Sequence, residues 1–427
     1  MKPLLDIIAR HKAGAPAGIY SVCSAHPLVI EAALRRAQRD SGYALIEATS
    51  NQVNQDGGYT GMRPADFARF VHEIAQRVGL ASERVLLGGD HLGPNCWQQL
   101  PAEEALQRSE LLIAGYLSAG FRKIHLDCSM SCAGDPPVLG DAVVAERAAR
   151  LCRVAEQTWQ RVGGEAPVYV VGTEVPVPGG AHELLTELQP TAPAAAAATI
   201  DAHQAAFAAA GLGEAWSRVI GLVVQPGVEF DHYKVIDFRP GRVAGLSALT
   251  ASRPSMVYEA HSTDYQTAAN LRALVRAHFA ILKVGPGLSF AMREALWALA
   301  QIESEWLPAA RRSGLRETVL GAMTVDPRHW QKYYLSTGAQ LLLDQQYSLS
   351  DRLRYYWPVA TVERALVRLL ANLEESPPPL TLLSQYLPQQ YAAVRAGSLG
   401  LSAREWVLHH IDRVLQQYAA ACGAATD

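Results

Sequence analysis

Charged residues are scarce in this chain. They make up 19% of its 427 residues, and the formal net charge is only −3. A nucleic-acid-binding protein would instead cluster Lys and Arg on one face. The composition therefore argues against nucleic acid as a partner, and we expect a small ligand.

Long apolar runs are also missing. No stretch reaches the roughly 18 to 20 uninterrupted apolar residues of a membrane span. The opening residues, MKPLLD, lack the apolar core of a signal peptide. We therefore expect a cytoplasmic protein with no membrane partner.

Two further motifs are absent. The six cysteines are scattered without zinc-type CxxC pairs, which favours reduced thiols over a disulfide framework. The chain contains no GxxxxGK[ST] loop, so a sugar-phosphate kinase built on such a loop is not expected.

What the chain does contain is an alternation of short β-rich runs with longer helical patterns, which is typical of parallel βαβ units. The predicted strands are 18–23, 43–48, 85–89, 123–127, 168–172, 219–224, 256–260 and 280–284. Helical patterns occupy 28–39, 64–78, 102–119, 141–160, 201–210, 264–278 and 289–303. This order predicts an α/β fold, a (β/α)8 TIM barrel over 1–306, with a mostly helical C-terminal extension over 307–427 packed on it.

Polar side chains stand at the ends of the predicted strands. In a barrel, the carboxyl ends of the strands and the loops after them form the site. The strand-end residues are Ser24, His26, Glu47, Asp90, His91, Asp127, Glu174, Gln225, Glu259, His261 and Lys283. We expect them to converge on one active site.

Two histidines and a carboxylate among them suggest a metal site. His91 and His261 end the third and seventh strands, and Glu174 follows the fifth. Imidazole and carboxylate together suit zinc or a similar first-row ion. The three residues are therefore predicted to bind one divalent metal, although buried histidines are also often structural. A metal with a carboxylate would supply the electrophile and the base needed for chemistry on a ketose.

Asp90 is the candidate general acid/base, and Glu174 is the second candidate catalytic residue. Asp90 and His91 would point to opposite faces of an ideal strand, but the glycines beside them in VLLGGDHLGP allow a bend that presents both. The alternative is that Asp90 orients a ligand imidazole. Asp127, two residues after His125, suits a metal or a sugar hydroxyl, or else caps a loop.

Further residues are candidates for substrate contacts. Loop 50–62 is rich in amides and glycines, so Asn51 and Gln52 suit a polyhydroxylated substrate, although the same composition makes an ordinary turn. In KVGPGLS, Lys283 and Ser289 flank a glycine loop before a helix whose free amides can bind a phosphate. Glu47, Asp127 and Gln225 complete the predicted contacts.

Two arginines lie in the aromatic run SDRLRYYW of the extension. Arg352 and Arg354 could grip a phosphate or the edge of a partner protein. Alternatively, the two arginines stabilise the start of a helix whose N-cap residue is Ser350.

These motifs together resemble the class II D-tagatose-1,6-bisphosphate aldolase family, specifically its larger Z subunit, which is described as non-catalytic. The resemblance covers nearly the whole chain through CSAHP, IEATSNQVNQ, GGDHLGPNCW, DCSMSCAGDP, GTEVPVPGG, VQPGVEFDH, YEAHSTDYQ and SDRLRYYW. It implies a (β/α)8 barrel in galactitol or N-acetylgalactosamine catabolism. The chain would then support the activity and stability of a separate catalytic Y subunit, within an oligomer.

The resemblance also implies residue roles. Catalytic class II aldolases use an Asp-His pair after strand three, in which Asp handles the proton of the C4 hydroxyl and His binds zinc. Asp90 and His91 match that pair, and His261 matches a second zinc-binding histidine.

The chain departs from the catalytic enzymes in two places. Their third histidine falls near Gln225, where only Glu229 or His232 further along the loop could substitute. Their glycine-rich phosphate loop reads STDYQ here. Bisphosphate cleavage is therefore not implied, which leaves an alternative: an autonomous metal-dependent 4-epimerase or aldolase-type enzyme acting on a ketohexose or ketohexose phosphate.

Overall fold

The computed structural model describes residues 1–172 and 188–424, and its centre is a closed barrel of eight parallel strands. In chain order the strands are β1 (Ile19–Val22), β2 (Ala44–Thr49), β3 (Val85–Leu92), β4 (Lys123–Leu126), β5 (Val168–Gly172), β6 (Val219–Val223), the antiparallel hairpin β7 (Glu229–Phe230) and β8 (Val235–Ile236), β9 (Val257–Ala260) and β10 (Ile281–Val284). Around the barrel the order is β1-β10-β9-β6-β5-β4-β3-β2. The predicted fold class is confirmed.

Helices surround the barrel. They are α1 (Lys2–Lys12), α2 (Pro27–Arg39), α3 (Pro64–Val78), α4 (Ala102–Ser118), α5 (Asp141–Val162), α6 (Pro193–Ala209), α7 (Gly213–Trp216), α8 (Ala244–Ala251), α9 (Ala268–Arg276) and α10 (Pro286–Trp306). Four of them, α2, α3, α6 and α10, begin at a proline. Proline suits the first helical position because its fixed φ is helical and the N–H it lacks would have no partner there.

Each barrel strand lies within one residue of its predicted bounds except β3, which runs on to Leu92. All residues of β2 and β3 are buried, as expected for parallel strands covered on both faces. Most of the segment 190–198 is helical, because α6 begins at Pro193. The prediction missed α1, α7, α8 and the β7–β8 hairpin.

Helix α1 closes the amino-terminal end of the barrel. Its Leu4 and Ile8 pack into an apolar cluster with side chains from the interior of the barrel, namely Ile19, Leu45, Leu86, Val168, Val170, Ile220, Val257 and Ile281. This end is filled with apolar groups, so polar chemistry is confined to the opposite end, where the strands finish.

The chain after Trp306 is helical. It forms α11 (Leu315–Val325), α12 (Gly338–Tyr347), α13 (Ala360–Glu375), α14 (Leu380–Tyr386), α15 (Pro388–Arg395) and α16 (Ala403–Ala421). The proline segment 376–380 links α13 to α14. Helix α16 packs against α2, α9 and α10, and its Asp412 forms a bidentate pair with Arg36 of α2 at 3.0 and 2.6 Å. Whether 307–427 is a separate domain stays a prediction.

None of the helices in the described part of the chain is long and apolar enough to cross a membrane. The six cysteines are all free thiols, and Cys128, Cys132 and Cys152 are buried.

Candidate functional site

The end of β3 is bent, and the bend turns Asp90 and His91 toward one cavity. His91 has a φ of 48°, in the left-handed region that residues other than glycine seldom adopt. The pairing of β3 with β4 also shifts register between Gly89 and Leu92. The bend removes the alternation that would put the two neighbouring side chains on opposite faces. Both line the cavity at the carboxyl-terminal mouth of the barrel.

Four buried side chains meet there. Asp90, His91, His125 and His261 each offer one potential ligand atom, and these atoms all lie within 4.8 Å of one another. The ring centroid of His91 is 4.9 Å from that of His261 and 5.1 Å from that of His125. His91 and His261 therefore come together as expected, and their role as ligands stays a prediction. Glu174, the third predicted ligand, lies outside the described residues.

Asp127 orients His91. Its Oδ2 lies 2.6 Å from Nδ1 of His91, which leaves Nε2 of that ring for the cavity. Burial opposes the charge on each group, yet Asp90 and Asp127 together raise the pKa of His91. In turn, His91 holds the pKa of Asp127 well below its usual range despite burial. Asp127 thus contacts the imidazole of His91 and does not itself face the cavity.

The other two imidazoles are held by carboxylates as well. Nε2 of His261 lies 3.0 Å from Oε1 of Glu259, and burial lowers the pKa of His261 to about 4. At neutral pH this ring is therefore neutral, which is the form that binds metals. Nδ1 of His125 lies 3.0 Å from Oδ1 of Asp90, whereas its buried Nε2 has no hydrogen-bond partner within 1–172 and 188–424.

Two buried lysines lie beside the cluster. Nζ of Lys123 is 2.7 Å from Glu47 and 2.6 Å from Glu259. Lys283 pairs with Glu47, and its Nζ is 3.0 Å from Oδ1 of Asp90. Burial opposes the charge on Lys283, but Asp90 and the other acidic groups around it raise its pKa well above the usual range. Lys283 is therefore a fixed cation, not an amine nucleophile.

The buried network has an excess of negative charge. Its carboxylates are Glu47, Asp90, Asp127 and Glu259, and its ammonium groups are Lys123 and Lys283. Buried charge that lacks a counter-charge is costly, and among the residues that the structure describes none pairs with the buried Nε2 of His125. Both features fit a divalent metal held by imidazole and carboxylate, so the donor set is compatible with the expected cofactor.

A second trio lies close by. Cys23, Glu47 and Asp90 also offer donor atoms within 4.8 Å of one another. However, Lys283 already pairs with both carboxylates, and burial raises the pKa of the Cys23 thiol well above its usual range. The histidine cluster is therefore the stronger candidate.

Asn51 and Gln52 both line the cavity at the mouth. Its volume, defined by the residues that the structure describes, is about 80 Å³. Each also supports its own loop. Oδ1 of Asn51 accepts a hydrogen bond from the Cys96 thiol at 3.2 Å, and Oε1 of Gln52 accepts one from the Thr49 amide at 2.9 Å. The amide-rich loop is thus an ordered turn that presents two amides to the cavity, and their contact with a substrate stays a prediction.

Gln225 points elsewhere. Its Oε1 accepts hydrogen bonds from the amides of Gly227 and Val228 at 2.8 and 3.0 Å. The side chain therefore caps its own loop and does not line the mouth cavity, which is not the position expected of a substrate contact.

The proposed substitutes for a third histidine are not in the cluster either. The two ring nitrogens of His232 are each 3.1 Å from a partner in the extension, the Ser350 hydroxyl and the Tyr333 carbonyl. Glu229 accepts from the amide of Phe230 at 2.9 Å, and burial raises its pKa to about 7. The third imidazole of the cluster comes instead from His125 on β4.

The two arginines of the extension have different surroundings. Arg354 lines the mouth, which agrees with a substrate contact. Arg352 does not: it stacks on Tyr333, with the guanidinium carbon 3.5 Å from the ring centroid, and donates to the carbonyl of His329 at 2.7 Å. Ser350 caps no helix, because the short helix here begins at Arg352 with Asp351 at the cap.

The glycine loop before α10 does not leave its amides free. Oδ1 of Asp264 accepts hydrogen bonds from the amides of Gly285 and Gly287 at 3.0 and 2.7 Å. Ser289 is also occupied, since its hydroxyl donates to Asp351. The expectation of an open phosphate site with Ser289 in contact is therefore not met, because a carboxylate of the chain itself fills the position.

Comparison with known proteins then identifies the chain's family. The model of the D-tagatose-1,6-bisphosphate aldolase subunit GatZ/KbaZ-like family matches residues 4–423. The chain belongs to this family. The match confirms the family predicted from the sequence, and with it the function as a subunit of that aldolase.

Three solved structures are also similar to this chain. A crystal structure of a probable tagatose 6 phosphate kinase from Sinorhizobium meliloti 1021 is 51% identical, with 95% of this chain and 100% of that chain covered and a TM-score of 0.88. The YdjI aldolase from Escherichia coli K12 is 12% identical, with 84% and 93% covered and a TM-score of 0.40. Fructose-bisphosphate aldolase from Campylobacter jejuni is 13% identical, with 87% and 92% covered and a TM-score of 0.43.

Sequence reasoning missed three residues of this site: His125 as a member of the cluster, Lys123 and Asp264. A signal for the first two was present. In KIHLD, Lys123, His125 and Asp127 alternate with apolar residues, and residues two apart share one face of a strand. Nothing in STDYQ indicates that Asp264 reaches the next helix.

Proposed function

We propose that this chain is the accessory subunit that supports a separate catalytic Y subunit of tagatose-bisphosphate aldolase in the cytoplasm, and that its own barrel mouth binds a divalent metal and a ketose or ketose phosphate. The observation that carries the proposal of a retained site is the convergence of Asp90, His91, His125 and His261 within 4.8 Å. A chain serving only as a scaffold would have no need to keep four buried polar groups together.

The three imidazoles would hold the ion. Imidazole ligands suit zinc, and when bound this ion would polarise a carbonyl oxygen of the substrate. Asp127 and Glu259 fix the orientation of His91 and His261 through hydrogen bonds of 2.6 and 3.0 Å. Such carboxylate partners set which ring nitrogen faces the ion.

Asp90 is ionised and lies where it could accept a proton. Burial opposes its charge, but Lys283 and then His91 hold its pKa well below the usual range. Its Oδ1 is engaged by His125 and Lys283 at 3.0 Å each. Oδ2 is 3.7 Å from the Cys23 thiol and 3.9 Å from His91, so it is the freer oxygen to accept a proton from a substrate hydroxyl.

The rim would bind the substrate. Asn51 and Gln52 offer amides to sugar hydroxyls, and Arg354 offers a cation from the extension. Each side chain is already held by its own loop, so the rim is ordered before the substrate arrives.

Co-expression with a catalytic Y subunit tests the accessory role. We expect the two chains to co-purify as one oligomer, measured by light scattering after gel filtration, with higher aldolase activity and heat resistance than the Y subunit alone. His91→Ala is the matched variant: it should lose zinc, measured by elemental analysis, yet still associate. Chains that fail to associate at micromolar concentration would contradict the accessory role.

A second candidate is an autonomous metal-dependent 4-epimerase or aldolase-type enzyme. It is favoured by one observation: Asp90 and three imidazoles lie in this chain's own mouth, with no second chain required. The test is to incubate the purified chain with fructose, tagatose and their phosphates. Product that disappears with a chelator and in His91→Ala would support this candidate, whereas no turnover without the Y subunit would exclude it.

A further inference from the structure

The loop after β9 carries Asp264, whose carboxylate lies at the start of α10. Asp264 is buried, lines the mouth cavity, and accepts hydrogen bonds from the amides of Gly285 and Gly287. A single oxygen, Oδ1, takes both bonds at 3.0 and 2.7 Å. The amino terminus of a helix binds phosphate through the same kind of donors, so the carboxylate stands where a phosphate oxygen would bind.

The other donors in this first turn are also used. Pro286 has no N–H. The amides of Leu288 and Ser289 lie 3.0 and 3.4 Å from the carbonyl oxygen of Gly285. No backbone N–H from Gly285 to Ser289 therefore remains for a ligand while Asp264 stays in place.

The loop that carries Asp264 has a strained backbone and is held by two hydrogen bonds with the extension. Ser262 and Tyr265 have φ values of 53° and 65°, a conformation that costs energy for these residues and persists only when the surroundings enforce it. The Tyr418 hydroxyl of α16 donates to the carbonyl of Thr263 at 2.8 Å. The Tyr265 hydroxyl donates to the carbonyl of Leu349 at 2.6 Å. The extension thus holds the loop in place.

Charged groups of both signs surround Asp264. The buried carboxyl groups of Glu229 and Asp351 lie nearby, and so do the guanidinium groups of Arg293 and Arg354. Arg354 already donates to the Asp351 carbonyl at 2.9 Å. The carboxylate of Asp264 itself is therefore the group that would repel a phosphate at this position.

We propose that Asp264 is a specificity-determining residue that occupies the phosphate position at the start of α10, so that this end of the mouth accepts the hydroxyl-bearing, unphosphorylated end of a ketose. A carboxylate accepts hydrogen bonds from hydroxyl groups and repels the negative charge of a phosphate. This inference rests on the proposed ketose site and names its substrate class.

Phosphate titration of Asp264 variants tests the inference. Asp264→Ala should free two amides, and we expect it to bind inorganic phosphate at least tenfold more tightly than the wild type by calorimetry. Asp264→Asn is the matched control, because its amide oxygen can still accept both N–H groups. It should stay within about threefold of the wild type, a difference of under about 0.7 kcal/mol. Each titration is repeated after chelator treatment, which removes phosphate binding to a metal and leaves binding at α10.

Two outcomes would overturn the inference: a wild type that binds phosphate at this helix as tightly as Asp264→Ala, or a folded Asp264→Ala that gains nothing. If Asp264→Ala does not fold, the binding of two sugars to the wild type tests the inference instead. D-tagatose should then bind at least tenfold more tightly than D-tagatose 6-phosphate, and the reverse order contradicts the inference. Failure of the proposed function would show differently, as loss of association with the Y subunit or absence of bound metal.

Discussion

Nδ1 of His91 lies 2.6 Å from Oδ2 of Asp127, although the two residues are 36 positions apart in the chain. The contact joins the bent end of β3 to the end of β4, and Asp127 is itself held by the Ser129 hydroxyl at 2.6 Å. The direction in which His91 faces the mouth is therefore set by a carboxylate that does not line the cavity.

Replacement of Asp127 by Asn should weaken zinc binding without unfolding the chain. The amide keeps the shape but removes the charge that favours His91 in its present orientation, and such partners are typically worth about 10- to 100-fold in metal affinity. Competition with a coloured chelator measures the change. Zinc affinity equal to that of the wild type would show that Asp127 does not orient a ligand.

Replacement of Lys123 by Met should destabilise the fold strongly. Lys123 is fully buried between Glu47 and Glu259, and removing one partner of a buried ion pair leaves charge uncompensated at a cost of about 3 to 5 kcal/mol. Denaturant unfolding measures the loss. Lys2→Met at an exposed position is the control and should change stability by less than about 0.5 kcal/mol.

Glu229→Gln should make stability less dependent on pH. Burial raises the pKa of Glu229 to about 7, above the value of about 4.3 for an unfolded glutamate. The folded chain therefore holds this proton more tightly, and the wild type loses stability as pH rises from about 4.3 to about 7, by about 4 kcal/mol in all. Gln has no such proton.

The measurement is unfolding of both proteins in denaturant from pH 4.5 to pH 8. The stability of Glu229→Gln relative to the wild type should increase across this range and level off near its upper end. A difference that stays constant with pH would show that Glu229 does not titrate in this window.

A chain of residues 1–306 should not fold on its own. Trp297, Leu299 and Ile302 of α10 are buried, and α10 packs against α11, α13, α14 and α16 of the extension. Removing those helices would expose a large apolar face, which favours aggregation. We expect no cooperative thermal transition by circular dichroism. A sharp transition within a few degrees of the full chain's would instead support 307–427 as a separate domain.

Much of the fold could be predicted from the sequence, because it depends on local patterns. Buried parallel strands are short apolar runs, and helices show amphipathic periods. These signals placed every barrel strand within one residue except β3. They failed for α1, which is recognisable only once the open end of a barrel exists for Leu4 and Ile8 to fill.

The sequence by itself also determined which residues stand at the carboxyl ends of the strands, and barrel topology brings those ends to one rim. It could not determine where those side chains point. His125 joins the cluster, His232 faces the extension and Asp264 reaches α10 because of hydrogen bonds between residues far apart in the chain. Such contacts exist only after the barrel closes and the extension packs on it, so the tertiary structure alone decided which polar residues form the site.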